Sequence, residues 1–161
     1  MNPTGKLLIV DDEIEIIELL TNVLKASVKE IHTAKNGQEA LEKLKTEHFD
    51  AVLSDINMPK MDGLNLLKQI RNEGIQIPFV ILTAHGDKKL AIEALKLLAY
   101  DFLEKPWEDE ELITSINRAI RLGRQFECWN VDPEFSDLLK EVRDDNAREA
   151  IYRLKYIIDK K

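Results

Sequence analysis

Cysteine is nearly absent from this chain of 161 residues, with Cys128 as its one example. A single thiol excludes a disulfide within the chain and a zinc site built from several cysteines. Long apolar runs are also missing, since none approaches the length of a membrane span. The run before Asp11 is too short for the apolar region of a secretory signal. We therefore expect a cytoplasmic protein that does not enter a membrane.

Positive charge is in deficit as well. The formal net charge is −7, and basic residues outnumber acidic ones neither in residues 1–123 nor in 124–161. Because binding to a phosphate backbone depends on clustered lysine and arginine, we expect no direct contact with nucleic acid. The balance of 44% hydrophobic and 33% charged residues is typical of a globular domain.

Short apolar runs alternate with longer amphipathic segments along most of the chain. This alternation predicts an α/β fold, a doubly wound parallel sheet with helices on both faces. For such folds the flavodoxin-like strand order 2-1-3-4-5 is the expected one. The five predicted strands are Lys6–Val10, Glu30–Ala34, Ala51–Ser54, Ile77–Leu82 and Ala99–Leu103.

The alternation stops after Gly123. We therefore predict two regions, an α/β domain over residues 5–123 and a helical C-terminal extension over residues 124–161. Asp132-Pro133 and Asn146 look like helix starts, and each is followed by apolar residues at helical spacing. The extension is expected to pack on its own domain or to form a dimer, with docking of another partner as the alternative.

Acidic residues follow two strands that the predicted order makes neighbours. Asp11 and Asp12 end the first strand, and Asp55 ends the third. Three carboxylates at one edge would repel one another unless a cation lay between them, and Mg²⁺ prefers such oxygen ligands. The alternative is that Asp11, Asp12 and Glu13 only supply negative charge to a helix start, and that Asp55 is an ordinary turn residue.

Two more strands end in groups that could act on an anion. Thr83 follows the fourth strand, and Lys105 follows the fifth, just before a proline. Taken alone, a lysine before proline is usually just a loop residue, and Thr83 could simply cap the next turn. Together with the acids, they place a chemical group at every strand end but the second, at the edge where ligands bind in this fold class.

Four segments resemble the response-regulator receiver family of two-component signal transduction, over about Gly5 to Gly123. These segments are Leu8-Ile9-Val10-Asp11-Asp12-Glu13, Ser54-Asp55-Ile56-Asn57-Met58-Pro59-Lys60-Met61-Asp62-Gly63, Leu82-Thr83-Ala84 and Tyr100-Asp101-Phe102-Leu103-Glu104-Lys105-Pro106. The resemblance implies that Asp55 receives a phosphoryl group from a histidine kinase or a histidine phosphotransfer protein in a phosphorelay. It implies a signalling switch rather than an enzyme, with self-phosphorylation and self-dephosphorylation as the only expected activities.

The same resemblance assigns the neighbouring residues. Asp12, Asp55 and the Asn57 backbone carbonyl would bind Mg²⁺ directly, and Asp11 would act through a metal-bound water. Lys105 and Thr83 would contact the phosphoryl oxygens. The metal and the lysine then neutralise charge on the transferring group.

The resemblance also names switch and tuning positions. Thr83 would move toward the phosphate, and Phe102 would turn inward, changing the face formed by the fourth helix, fifth strand and fifth helix. The side chains of Asn57 and His85 would tune the lifetime of the phosphate. Leu98 departs from the family, which more often has glycine there to end the fourth helix.

Two enzyme classes share parts of this pattern. A dinucleotide-binding enzyme would have a glycine-rich loop after the first strand, where this chain has Asp11-Asp12-Glu13. A phosphatase of the haloacid-dehalogenase type also uses an aspartate and Mg²⁺. Its aspartates follow the first strand, whereas Asp55 follows the third.

Overall fold

A parallel sheet of five strands forms the centre of the domain. The computed structural model describes residues 3–84 and 88–129. The strand order is β2-β1-β3-β4-β5 and every pairing is parallel, which confirms the predicted flavodoxin-like fold. The strands are β1 (Thr4–Val10), β2 (Val28–Ala34), β3 (Ala51–Asp55), β4 (Phe79–Thr83) and β5 (Asp101–Glu104).

Five helices connect and follow these strands: α1 (Ile14–Leu24), α2 (Gly37–Thr46), α3 (Gly63–Asn72), α4 (Lys88–Lys96) and α5 (Asp109–Trp129). None of the described helices is long and apolar enough to span a membrane. Helix α5 continues past Gly123, where the apolar pattern of the fifth helix ends. The chain divides into two units after Arg124. Residues 130–161 lie outside the described residues, so the helical extension stays a prediction.

Two strands begin later than their apolar runs do. Strand β4 starts at Phe79, after Pro78, whose nitrogen has no hydrogen to donate to a neighbouring strand. Strand β5 starts at Asp101 because the preceding residues complete α4: the Ala99 N–H donates to the Ala94 carbonyl at 2.9 Å. The apolar pattern marked both strands but not these starts.

The core consists of two layers, one on each face of the sheet. Alternate residues of β1 point to opposite faces, so Leu8 and Val10 pack with α2, α3 and α4, whereas Leu7 and Ile9 pack with α1 and α5. All four of these side chains are buried. Burial on both faces explains why the strands are continuous apolar runs. Because the sheet interior is apolar, the polar groups collect at the carboxyl ends of the strands.

Candidate functional site

Three carboxylates converge at the carboxyl ends of β1 and β3. Asp11 and Asp12 directly follow β1, and Asp55 is the last residue of β3. One oxygen from each lies within 4.8 Å of the others. Strands β1 and β3 are adjacent in the sheet, which is why residues far apart in sequence meet here. The structure therefore brings together the three predicted acidic residues.

Asp11 is held from both sides. Its backbone N–H donates to the Ala34 carbonyl at 3.1 Å, which extends the pairing of β1 with β2 by one residue. Its Oδ1 accepts from the Glu13 N–H at 2.9 Å, next to the first turn of α1. The side chain is 1% exposed, whereas Asp12 is exposed. The two acids thus differ in role: one is fixed inside the site, and the other faces solvent.

Asp55 owes its position to β4 and to the start of α3. It pairs in register with Leu82, and the next residue, Ile56, donates its N–H to the Leu82 carbonyl at 3.2 Å. Gly63, the first residue of α3, lies so close that a Cβ atom there would collide with the Asp55 carbonyl oxygen. Any larger residue at Gly63 would therefore displace the acidic residue or the helix.

Lys105 supplies the positive charge of the site. Its Nζ lies 3.0 Å from Asp55 Oδ1 and 3.4 Å from Asp11 Oδ2. Its backbone N–H donates to the Thr83 carbonyl at 2.6 Å, and its peptide bond to Pro106 is cis. The carboxyl ends of β4 and β5 thus set the ammonium group among the acids. One ammonium and three carboxylates leave the site with an excess of negative charge.

The electrostatic surroundings shift the pKa values of the central pair. Burial raises the pKa of Asp55 above its ordinary value, and the charges of Asp11 and Asp12 add to this rise while Lys105 opposes it. Burial by itself would lower the pKa of Lys105, but its hydrogen bond and attraction to Asp55 outweigh that and raise it. The ammonium is therefore firmly charged, and the carboxylate is held at an energetic cost.

The donor set fits a hard divalent cation. All three candidate ligands are carboxylates, and their excess charge would be balanced by a doubly charged ion. Mg²⁺ binds through one or two carboxylates and keeps several waters, which the exposure of Asp12 permits. Within the described residues this is the one group of three or more acids, histidines or cysteines close enough to share an ion.

The remaining predicted residues lie around this centre. Thr83 is the last residue of β4 and is 2% exposed. Asn57 is exposed, two residues after Asp55. Phe102 on β5 is half-buried and packs against the core layer of α2, α3 and α4. His85 lies outside the described residues, so its tuning role stays a prediction.

Gly63 is a site residue to which the sequence pattern assigned no role. Its signal in the sequence is the preceding Asp62, a residue type that favours helix starts. In the structure, Asp62 Oδ1 accepts from the Asn65 N–H at 2.7 Å and so caps α3. Residue types can predict this cap, but the contact of Gly63 with Asp55 depends on how α3 crosses the end of β3.

Comparison with known families identifies the fold family of the chain. Residues 7–117 match the family described as the response regulator receiver domain. The chain belongs to this family. The match includes both Asp11 and Asp55 as well as Lys105, so the whole cluster lies within it.

The relatives are bacterial regulators. A CpxR homolog of Haemophilus influenzae, a transcriptional regulatory protein, is 44% identical over 73% of this chain and 51% of its own length. The transcriptional regulatory protein FixJ of Bradyrhizobium diazoefficiens is 38% identical over 75% of this chain and 59% of its own length. The chain spans 26% of the regulatory protein AtoC of Escherichia coli. The alignment thus covers only part of each regulator.

Solved structures agree with this assignment. The chemotaxis protein CheY4 of Vibrio cholerae has a TM-score of 0.67 at 32% identity, covering 72% of this chain and 98% of that one. The receiver domain of a Francisella response regulator has a TM-score of 0.69 at 32% identity, covering 73% and 97%. The receiver fold of this chain therefore corresponds to nearly the full length of these structures.

Proposed function

We propose that Asp55 is the phosphoryl acceptor of a two-component phosphorelay. The observation that carries the proposal is the position of its carboxylate, 3.0 Å from the Lys105 ammonium and beside Asp11 and Asp12. A nucleophilic carboxylate needs positive charge nearby when a phosphoryl group arrives. Asp11 and Asp12 are the other acids of this cluster, and the described residues hold no second cluster of this kind.

The transfer exchanges one bond to phosphorus for another. An oxygen of the Asp55 carboxylate forms a bond to phosphorus while the bond to the donor breaks, and the donor leaves with that electron pair. The Lys105 ammonium balances negative charge on the phosphoryl oxygens. The Thr83 hydroxyl would contact the same oxygens, a role supported by its position one residue beyond the Asp55–Leu82 pair.

We assign the metal to the acidic cluster. Asp12, Asp55 and the Asn57 backbone carbonyl would hold Mg²⁺ directly, and Asp11 would hold one of its waters. When bound, Mg²⁺ supplies positive charge that neutralises the transferring group. The hydrogen bond from the Glu13 N–H fixes the Asp11 carboxylate, which would hold that water in one orientation.

The response to phosphorylation would run through Thr83 and Phe102. The modification adds about one and a half to two negative charges and strong acceptor oxygens at the end of β3. Thr83 is buried, so its movement toward the new oxygens would free space behind it. Phe102 is half-buried beside that core layer, and turning inward would change the face of α4, β5 and α5.

The expected partner is a histidine kinase or a histidine phosphotransfer protein, and the protein acts as a switch rather than an enzyme with turnover. Self-phosphorylation from small donors and self-dephosphorylation are its expected activities. The relatives are transcription regulators, but the part that aligns with this chain is the receiver domain, and we propose no DNA contact for it. A homodimer, a role for residues 124–161 and a cytoplasmic location stay predictions.

A mass measurement tests the proposal directly. The protein is incubated with Mg²⁺ and acetyl phosphate, and the modified residue is located by peptide mapping. We expect one phosphoryl group on Asp55 and none in Asp55→Asn. Asp50→Asn is the matched control, because Asp50 is also buried but lies at the opposite end of β3. Labelling of Asp55→Asn equal to wild type would overturn the proposal.

The metal assignment has its own test. Isothermal titration calorimetry should show Mg²⁺ binding by wild type and little or none by Asp12→Asn, and a chelator should suppress labelling of Asp55. Equal Mg²⁺ affinity in the two proteins would reject Asp12 as a ligand. Steady release of phosphate from an added phosphomonoester would instead indicate a phosphatase.

A further inference from the structure

Arg71, near the end of α3, carries a charge that no carboxylate of the described residues neutralises. Its guanidinium donates to four backbone carbonyls. Nη1 bonds Ile75 at 2.7 Å and Nη2 bonds Ile77 at 2.8 Å, both in the segment leading to β4. Nε bonds Leu97 at 3.2 Å and Nη2 also bonds Leu98 at 3.1 Å, both at the end of α4. One side chain thus connects α3 to the carboxyl end of α4.

That end of α4 has a strained cap. Leu98 has φ of 59°, in the left-handed region that favours glycine. The Leu98 N–H donates to Leu95 at 3.0 Å, and the Ala99 N–H donates to Ala94 at 2.9 Å, which is the Schellman arrangement. A left-handed leucine is unfavourable by about 1–2 kcal/mol. The two bonds from Arg71 to the carbonyls of Leu97 and Leu98 therefore stabilise a conformation that the leucine itself disfavours.

The rest of α4 buries little of its surface. Ala94 is its one buried residue among residues 89–96, and Ile92 and Leu95 are 54% and 68% exposed. Helix α3, by contrast, buries five residues. A helix with so little buried surface moves at low cost wherever other bonds do not restrain it. The carboxyl end of α4 receives the two bonds from Arg71 in addition to its own cap.

We propose that Arg71 is the anchor of α4, fixing its carboxyl end to α3 so that phosphorylation repositions the amino-terminal half of α4 about that fixed end. The inference rests on the proposed role of Asp55. Helix α3 starts with Gly63 against the Asp55 carbonyl, and α4 follows Thr83 in the chain. Arg71 is a positioning residue, since it contacts neither the acids nor the phosphate.

Hydrogen exchange on the full chain tests the anchor. The protein is compared with Arg71→Lys, which keeps the charge but cannot reach four carbonyls, and with Arg121→Lys, an exposed arginine of α5. Each is measured with and without Mg²⁺ and acetyl phosphate. In wild type, phosphorylation should change exchange at residues 89–92 and leave the amides of Leu98 and Ala99 unchanged.

The anchor variant should behave differently in two ways. Without phosphate, the Leu98 and Ala99 amides should exchange about tenfold faster in Arg71→Lys, the effect of losing hydrogen bonds to a charged group. With phosphate, the changes should extend through Leu98, while the rate of Asp55 labelling stays within about twofold of wild type. Adding Leu98→Gly to Arg71→Lys should restore slow exchange, because glycine relieves the left-handed strain.

Two failures can be told apart. If wild type is not labelled at Asp55, the proposed function fails, whatever the exchange of Arg71→Lys. If wild type is labelled but Leu98 and Ala99 exchange equally fast in wild type and Arg71→Lys, the anchor is overturned. It is also overturned if phosphorylation of wild type changes the carboxyl end of α4 more than residues 89–92.

Discussion

Two partly buried cations of this domain have opposite surroundings. Lys105 lies between the carboxylates of Asp55 and Asp11, and its attraction to Asp55 raises its pKa. Arg71 contacts only backbone carbonyls among the described residues, and burial lowers its pKa to about 10. Both stay protonated at neutral pH.

The difference in partners gives the two cations different roles, one in the proposed chemistry and one in holding the fold. The partners of Lys105 are charges that a phosphoryl group or a metal ion would change, so its interactions vary with the state of the site. The partners of Arg71 are main-chain carbonyl groups, which carry no net charge. A cation paired with carboxylates can therefore respond to phosphorylation, whereas one bonded to carbonyls fixes the elements that carry them.

Removing the Lys105 ammonium should have the largest effect, which is on the rate of Asp55 labelling. In Lys105→Met the transferring phosphoryl group loses a charged donor, and we expect Asp55 labelling by acetyl phosphate to slow about a hundredfold. The measurement is the labelling rate by mass spectrometry, with the exposed Lys68→Met on α3 as control. A rate within twofold of wild type would mean that Lys105 plays no part in the transfer.

Removing the Arg71 guanidinium should instead lower the stability of the fold. Arg71→Met leaves four carbonyls without their donor, and we expect the free energy of unfolding to fall by about 3 kcal/mol. Urea unfolding measures this, with Arg121→Met expected to change it by less than about 0.5 kcal/mol. The comparison would fail if Arg71→Met were as stable as its control.

A substitution at Leu98, in the left-handed cap that Arg71 contacts, should change the free energy of unfolding by less and in the opposite direction. Leu98→Gly should raise the free energy of unfolding by about 1 kcal/mol, because glycine adopts positive φ without strain and the half-exposed leucine buries little surface. Leu95→Gly is the control, since an exposed position inside α4 should lose about 1 kcal/mol. A loss of stability in Leu98→Gly would show that its side chain packs more than its exposure indicates.

The smallest effect is expected for a third cation, Lys6, whose side chain is 24% exposed. Lys6 Nζ lies 2.9 Å from Glu47 and 3.2 Å from Glu30. The hydrogen bond with Lys6 lowers the pKa of Glu47, and bonds with His32 and then Lys6 lower that of Glu30. Because these pKa values are depressed on folding, their stabilisation is present above about pH 4.5, the ordinary value, and is lost as pH falls through the lowered values.

Urea midpoints measured against pH check this sign. Glu47→Gln should be slightly less stable than wild type at neutral pH, and the difference should shrink as the solution is acidified. Glu42→Gln, at an exposed glutamate of α2, is the matched control for the substitution itself. A difference that widens at low pH would contradict the assignment.

Much of the fold was readable from residue patterns because its strands are buried on both faces. Continuous apolar runs such as Leu7–Val10 admit few other interpretations, and the parallel order follows from the helices between them. The first residues of β4 and β5 were harder to predict from the sequence. They depend on Pro78 and on the hydrogen bond from Ala99 to Ala94, and the second is a tertiary detail of how α4 ends.

The meeting of the site residues could also be predicted from the sequence, because it follows from the parallel arrangement of the strands. Residues that follow parallel strands must share one edge, so Asp11, Asp55 and Lys105 could be placed together before any distance was known. The anomaly at Leu98 was also visible, since leucine stands where the family more often has glycine. The stabilisation of this cap by Arg71 was not visible, because no sequence pattern connects Arg71 to a carbonyl 26 residues away.

The sequence alone determined the strand order, the acidic edge and the residues that meet there, because periodicity and strand ends are local properties of the chain. Only the tertiary structure decided the position of Lys105 between two carboxylates, the approach of Gly63 to Asp55 and the bonds of Arg71 to the end of α4. These depend on distances between elements, which are set by how the whole core packs.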